Sequence, residues 1–523
     1  MSTELPQTAA PSGNGSLNRQ GGTVASMTLL SRITGLVRDM VLSYFFGATQ
    51  VADAFFVAFR IPNFFRRLFA EGAFSQAFVP VLAAFRQRGD RDELIRFVRV
   101  MSGWFAGALV LVCLLGVLGA QWLVVVFAPG FWGDPVRSAL ATDMLRITFP
   151  YLGFISLTAF AGALLNAHQR FAIPAFTPVL LNLCLIGAAL FAAPAFDEPV
   201  MALAWGVLAA GMGQLLFQLP SLRRIEMLHM PKLERRHEGV YRVGVLLVPA
   251  VFAASVSQVN ALVDTILASF LITGSISWLY YADRLMELPV GLVAVALATV
   301  LLPALSRAHA ADDRHSFVQA LNWGMRMGLL LGIPAAAALY VLSVPLTATI
   351  FMRGAMTGLD TAMAALALQA FAVGLPALVL AKILAPGFFA QQDTRTPFRI
   401  ALVSVGVNCA GNLALFSWLG HVGLALATSA AALTQAGLLL RGLMLRDQYR
   451  PDAALGRFAL KVVVATAVMV AVLLWFSAPE AAWMAMGEWS RIGQTALLCG
   501  SGLAVYLVAL LGLGIRPAEL RHR

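Results

Sequence analysis

Eight ionisable side chains fall inside the first two long apolar stretches of this chain. Arg32, Arg38 and Asp39 lie in one; Asp53, Arg60, Arg66, Arg67 and Glu71 lie in the next. A charge at bilayer depth costs roughly 2.5 kcal/mol or more, so it faces a water-filled cavity or a partner. At about 100° per residue, Arg32 and Asp39 share a helix face, and Asp53, Arg60, Arg67 and Glu71 form one stripe of alternating acid and base. Later apolar stretches add Asp283, Arg284 and Glu287, and then Lys382. Bases outnumber acids in this set, which favours an anionic ligand. The planar fork of arginine takes phosphate oxygens two at a time. The chemistry is therefore anion capture, in which a carboxylate holds an arginine until a phosphate replaces it. The competing reading is a ladder of buried ion pairs that only joins helices.

A second polar group is smaller. Asp264, with Asn408, Asn412 and Thr428, supplies either one interhelical hydrogen bond or the hard oxygens that a monovalent coupling cation would need. No other cofactor is expected. Cys113, Cys184, Cys409 and Cys499 lie singly in apolar segments, without metal-ligand spacing. There is no HExxH, P-loop, nucleophile elbow or glycine-rich dinucleotide turn, and no Asp-rich metal motif, so an enzyme is not indicated.

The elements that position these residues are membrane spans. Of 523 residues, 59% are hydrophobic and 12% charged, and the mean hydropathy is +0.80. Crossing the hydrocarbon core takes about 20 apolar residues. Fourteen stretches qualify: 24–47, 51–85, 94–128, 138–167, 174–194, 199–221, 241–272, 275–306, 316–351, 361–390, 397–418, 421–441, 458–478 and 491–514. The first is too long and too charged for a cleavable signal. The net charge of +11 sits in alternate loops, with Arg86, Arg88, Arg91, Arg96 and Arg99 in one and Arg223, Arg224, Lys232, Arg235 and Arg236 in another. The opposite loops carry only Arg137, Arg353 and Arg491. That asymmetry puts both termini in the cytoplasm and argues against nucleic acid as a partner.

Pro80 and Pro303 are 223 residues apart, as are Pro174 and Pro397. The expected architecture is an all-α polytopic membrane protein with two six-helix lobes related by an internal repeat, plus a two-helix C-terminal hairpin. The expected divisions are a disordered tail (1–22), an N-lobe (23–225), a basic linker (226–240), a C-lobe (241–447), the hairpin (455–515) and a short tail (516–523). Parallel repeats flanking a site are a transporter architecture.

Four motifs carry a resemblance: SRITGLVRD (31–39), ADAFFVAFRIPNFFRRLFAEGAFSQAFVPVL (52–82), YYADRLMELP (280–289) and KILAPGFFAQQDTRTP (382–397). They resemble the MurJ/MviN family of lipid II flippases, across about residues 24–515. The resemblance implies the fold of the multidrug/oligosaccharidyl-lipid/polysaccharide exporter superfamily and a lipid groove beside the last two helices. It implies that undecaprenyl-diphosphate-linked disaccharide-peptide moves from the inner to the outer leaflet of the bacterial cytoplasmic membrane, with membrane lipids and the cell-wall synthesis machinery as partners. It also implies that Arg32, Arg38, Arg66, Arg67 and Arg284 line a cavity, with Asp39, Asp53, Glu71 and Lys382 involved. Arg60 stands where the family often has lysine. The alternative is an exporter of drugs, metabolites or other polyprenyl-linked oligosaccharides from the same superfamily.

Overall fold

The computed structural model describes residues 14–68, 74–234 and 237–516, all of it helix, turn and loop. Glu71 falls outside the described residues. In chain order the helices are α1 (Asn14–Phe46), α2 (Gln50–Arg66), α3 (Ser75–Gln87), α4 (Arg91–Leu118), α5 (Ala120–Phe127) and α6 (Pro135–Thr148). Then come α7 (Tyr151–Ala167), α8 (Ala172–Gly187), α9 (Met201–Arg224), α10 (Glu238–Ser269), α11 (Ser275–Ala310) and α12 (Arg314–Val341). The last six are α13 (Ser343–Phe351), α14 (Gly358–Phe389), α15 (Arg395–Leu445), α16 (Ala453–Phe476), α17 (Glu480–Ala485) and α18 (Glu488–Gly512).

Among the described residues, nine helices are long and apolar enough to cross a membrane. Large apolar side chains cover the outside, and Trp418, Trp475 and Trp489 are each more than 80% exposed near helix ends. Amphipathic indoles favour the interface between lipid and water. This is a multi-pass membrane protein.

Two expectations about element boundaries change. The segment expected to be a disordered tail is helical from Asn14 onward. A helix already nucleated in an apolar run gains one hydrogen bond for each residue added, without a second nucleation cost. The stretch 51–85, expected to be one helix, changes geometry within it: α2 ends at Arg66, Arg67 and Leu68 take a π turn, and α3 starts at Ser75. The 100° spacing assumed for the stripe therefore holds only as far as Arg66. Elsewhere, Gly420 interrupts α15 with φ 55° and ψ −133°, between the expected stretches 397–418 and 421–441.

The contacts divide the chain into two compact units. The first comprises residues 1–38, 65–118 and 146–251. Its core is a phenylalanine stack on α3, α4 and α7, with Phe74, Phe78, Phe85, Phe97 and Phe160 all buried. Phe85 and Phe97 stack at 4.5 Å. The linker is strapped to this unit. Lys232 N donates to Arg99 O at 3.0 Å, and the Trp104 indole donates to Glu234 O at 2.9 Å. Arg91 pairs with Glu226, and Arg96 with Glu234. The guanidinium of Arg96 holds the Glu234 carboxyl below its ordinary range, while burial holds His237 below its own.

The second unit comprises residues 39–64, 119–145 and 252–523. Within it, α16 and α18 pack with α12 around Val462, Met469, Leu473, Leu498 and Tyr506. The 46–50 turn meets the turn before α14: Ala355 N donates to Tyr44 O at 2.8 Å, and the Tyr281 hydroxyl donates to Gly47 O at 3.1 Å. Gly47 has φ 58°, and a Cβ there would lie 2.5 Å from Ala355 O, so only glycine fits.

Four turns recur at a near-constant offset. Gln169 and Gln392 both have φ 59°, and they are 223 residues apart. Gly89 and Asp312 share that spacing, while Glu226 and Asp447 are 221 apart and Gly47 and Gly274 are 227 apart. The hydrogen bonding recurs as well. Arg170 N donates to Leu165 O, and 223 residues later Asp393 N donates to Phe388 O. This is the same left-handed helix ending used twice.

Candidate anion-binding site

In the first unit, Arg38 is buried on α1 and its Nη1 donates to Asn182 Oδ1 on α8 at 3.0 Å. Asn182 in turn donates to Ser31 O and Thr34 Oγ1, each at 3.1 Å. One neutral amide thus orients the arginine and ties two turns of α1 together. Arg32 and Arg66 are half-buried, and Arg67 is exposed at the π turn.

The second unit holds the carboxylates. Asp39, 1% exposed, accepts from the Tyr280 hydroxyl at 2.8 Å, and its Oδ2 stands 3.2 Å from Arg284 Nε. Arg284 Nη1 reaches Glu287 at 3.0 Å, and its guanidinium lies 5.1 Å from the Tyr280 ring centroid. Tyr280 stacks on Phe56 at 4.1 Å, which fixes the ring. Three polar residues of one face of α11 and one buried acid of α1 therefore make a single cluster.

Asp53 has a different role from the one its place in the stripe suggested. Its carboxylate accepts from Gly274 N at 2.7 Å, from Ser277 N at 3.0 Å and from Ser277 Oγ at 2.6 Å. It caps the N-terminus of α11 from another helix, where free amides and the helix dipole both favour a negative charge. Gly274, at φ 95°, makes this approach possible, since a Cβ would lie 2.7 Å from the Trp278 ring. Arg60 donates to Thr265 Oγ1 on α10 at 2.7 Å. Asp283 is half-buried, and Lys382 is exposed on α14.

The smaller polar group is assembled as expected. Asn412 Nδ2 donates to Asp264 Oδ1 at 2.6 Å and to Asn408 Oδ1 at 3.1 Å, and Asn408 Nδ2 donates to Thr428 Oγ1 at 3.2 Å. In this arrangement Asp264 is satisfied by an amide. Asn412 Oδ1 is buried without a hydrogen-bond partner. One carboxylate with several neutral oxygens fits a monovalent cation by donor chemistry. No cluster of three or more His, Cys, Asp or Glu exists among the described residues.

The neutral partners Asn182, Thr265, Ser277 and Tyr280 were not singled out from the sequence. Tyr280 was findable, because it precedes Arg284 by four residues on one helix face. Asn182 left a fainter sign, a lone amide in an apolar run.

A family model described as Lipid II flippase MurJ matches residues 42–491. The chain is 44% identical over 513 residues to the probable lipid II flippase MurJ of Vibrio cholerae serotype O1, covering 97% of this chain and 98% of that one. It is 43% identical to the lipid II flippase MurJ of Burkholderia cenocepacia, covering 96% and 98%. The chain belongs to the MurJ family of lipid II flippases. A solved structure of a MurJ lipid II flippase in an inward closed conformation is 28% identical with a TM-score of 0.79, covering 93% of this chain and 97% of that one. An inward-facing transporter of the multidrug resistance MATE family, from the MOP superfamily, shares the fold at 13% identity and a TM-score of 0.65, covering 81% and 97%. Membership of MurJ places the chain among transporters of the bacterial inner membrane.

Proposed function

We propose that this lipid II flippase captures the diphosphate of its substrate on arginines that the resting protein keeps paired. The observation that carries the reading is the Asp39–Arg284–Glu287 cluster, where two carboxylates occupy one guanidinium. A diphosphate offers the same fork geometry with more charge, so it can displace them. Arg38, oriented by the Asn182 amide, is the second guanidinium of the capture. Arg32, Arg60, Arg66, Arg67 and Lys382 add positive potential along the route. No bond is made or broken in the substrate.

The cycle is alternating access, from the inner to the outer leaflet. Fourteen crossings serve it: the nine helices above, with α15 counted twice, together with α1, the α2–α3 pair, α10 and α11. The recurring turns support two six-helix halves in the same orientation. Both termini are cytoplasmic, in keeping with the basic loops. The polyprenyl tail stays in lipid, beside α16 and α18. An apolar cavity of about 250 Å³, lined by Leu330, Pro334, Met469, Leu473, Leu503 and Tyr506, supports that path. Asp264, Asn408, Asn412 and Thr428 would hold a monovalent coupling cation. Cell-wall synthesis proteins that consume the outward-facing product are the protein partners.

The test is replacement of the resident flippase in a bacterium with this chain, with lipid-linked precursor measured in each leaflet. The wild-type chain restores outer-leaflet precursor, and Arg38→Ala with Arg284→Ala does not. Restoration by that double variant would remove the diphosphate site from these residues.

A further inference from the structure

A cavity of about 580 Å³ lies within the first unit, among α3, α7, α8 and α9, with Arg66 on its lining. That volume is within the roughly 300–1,000 Å³ of small-molecule sites. Apart from Arg66 its polar side chains are all neutral: Ser75, Thr158, Asn166, Thr177 and Gln218. Gln218 is 1% exposed, and its Oε1 is buried without a hydrogen-bond partner. The Thr158 hydroxyl donates to Phe154 O and the Thr177 hydroxyl to Pro174 O, each at 2.8 Å. Their protons are committed to their own helices, so each oxygen faces a ligand only as an acceptor. The lining thus presents acceptors at Gln218, Thr158 and Thr177, side chains at Ser75 and Asn166 that can donate as well as accept, one guanidinium and an apolar remainder that includes Gly162 and Pro174.

An orphaned buried amide oxygen is unfavourable unless a ligand donates to it. Neutral acceptors beside groups that can also donate call for hydroxyl and acetamido groups, which do both. The apolar remainder calls for C–H faces. The arginine calls for an anion covalently close to both. No carboxylate lines the cavity among the described residues, so it is not built for a cation. We propose that this cavity binds the amino-sugar portion of the lipid-linked substrate, with Gln218 Oε1, Thr158 and Thr177 accepting from its hydroxyl and acetamido groups and Arg66 meeting an adjoining anionic group. The proposal rests on the reading of this chain as a lipid II carrier. It adds a site that selects for the glycan, separate from the arginines that take the diphosphate.

The experiment uses the full chain in lipid nanodiscs and two probes: lipid II, and undecaprenyl diphosphate without sugars. Gln218→Leu removes the acceptor at similar volume. Gly162→Ala intrudes on the cavity, and its Cβ would meet Pro174 at 3.4 Å and the Gln218 amide at 3.9 Å, contacts the fold accommodates. Gln218→Leu is expected to weaken lipid II binding about tenfold, the loss of one buried hydrogen bond, and Gly162→Ala to weaken it by taking up space in the cavity. Binding of the sugar-free diphosphate stays at the wild-type value. Equal losses for both probes, or no loss for either, would overturn the glycan site. If Gln218→Leu does not fold, Gly162→Ala decides. Arg284→Ala separates the two readings, because it weakens both probes when the diphosphate site is right and neither when it is wrong.

Discussion

Asp39 Oδ2 stands 3.2 Å from Arg284 Nε, and the two residues come from α1 and α11, 245 positions apart in the chain. Tyr280 bonds to both, accepting from Arg284 Nη2 at 3.3 Å and donating to Asp39 Oδ1 at 2.8 Å. The tyrosine keeps the carboxylate partly satisfied when the arginine leaves. That lowers the cost of handing Arg284 to a phosphate, which a bare ion pair at this depth would resist.

Arg284→Ala is therefore expected to abolish transport while the protein still inserts. It removes the guanidinium that stands beside the buried Asp39 carboxylate, a loss of roughly 3–5 kcal/mol for a broken buried pair. Arg284→Lys keeps the charge but not the fork, and should recover less than about a tenth of the activity. Complementation of a flippase-depleted strain, with membrane levels checked by immunoblot, measures both. Full rescue by lysine would mean that charge alone suffices.

The helical class, the membrane setting and most span positions were legible in the sequence because apolar length and loop charge are local properties. The charged residues were legible too, since a charge in an apolar run stands out. Their partners were not. Asp53 and Arg60 are seven apart and look like neighbours on a stripe, yet Asp53 caps α11 and Arg60 bonds to α10. Periodicity places a residue on a face, but does not say which helix meets that face. The π turn at Arg67 and Leu68 was hidden for a related reason: composition does not mark a change of backbone geometry.

Asp53→Ala should destabilise the protein more than a surface change does. Three hydrogen bonds to one carboxylate disappear, and the amides of Gly274 and Ser277 are left buried. The expected loss is about 2–3 kcal/mol, with Asp53→Asn intermediate because one acceptor oxygen remains. Thermal unfolding in detergent, followed by a fluorescent size-exclusion assay, ranks the three proteins. An unchanged midpoint for Asp53→Ala would show that the cap contributes nothing.

Asp393 gives a pH-dependent term outside the membrane spans. Bonds from the Thr396 hydroxyl, the Thr396 amide and the Arg446 guanidinium bring its carboxyl down to about 2 from 3.8. Arg446 Nη1 lies 2.7 Å from Asp393 Oδ2. A carboxyl depressed on folding adds stability above its unfolded pKa, and that stability is lost as pH falls through the folded one. The midpoint gap between wild type and Asp393→Asn should stay constant from pH 8 to about 5, narrow below about pH 4 and close near pH 2. A gap that widened in acid would contradict the assignment.

Asp264 decides whether the smaller polar group is a hydrogen-bonded joint or a cation site. As a joint, it needs only an acceptor for Asn412 Nδ2, now 2.6 Å away. Asp264→Asn can supply one through its amide oxygen, so stability and transport would survive. As a cation site, the group needs the negative charge, and the buried Asn412 Oδ1 would turn to become a ligand. The neutral variant would then lose the dependence of transport on the coupling ion while keeping its thermal midpoint within a few degrees. Reconstituted transport, measured across opposed sodium, potassium and proton gradients for wild type and Asp264→Asn, separates the outcomes. If the two proteins respond to every gradient alike, the four residues hold helices together and no cation binds there.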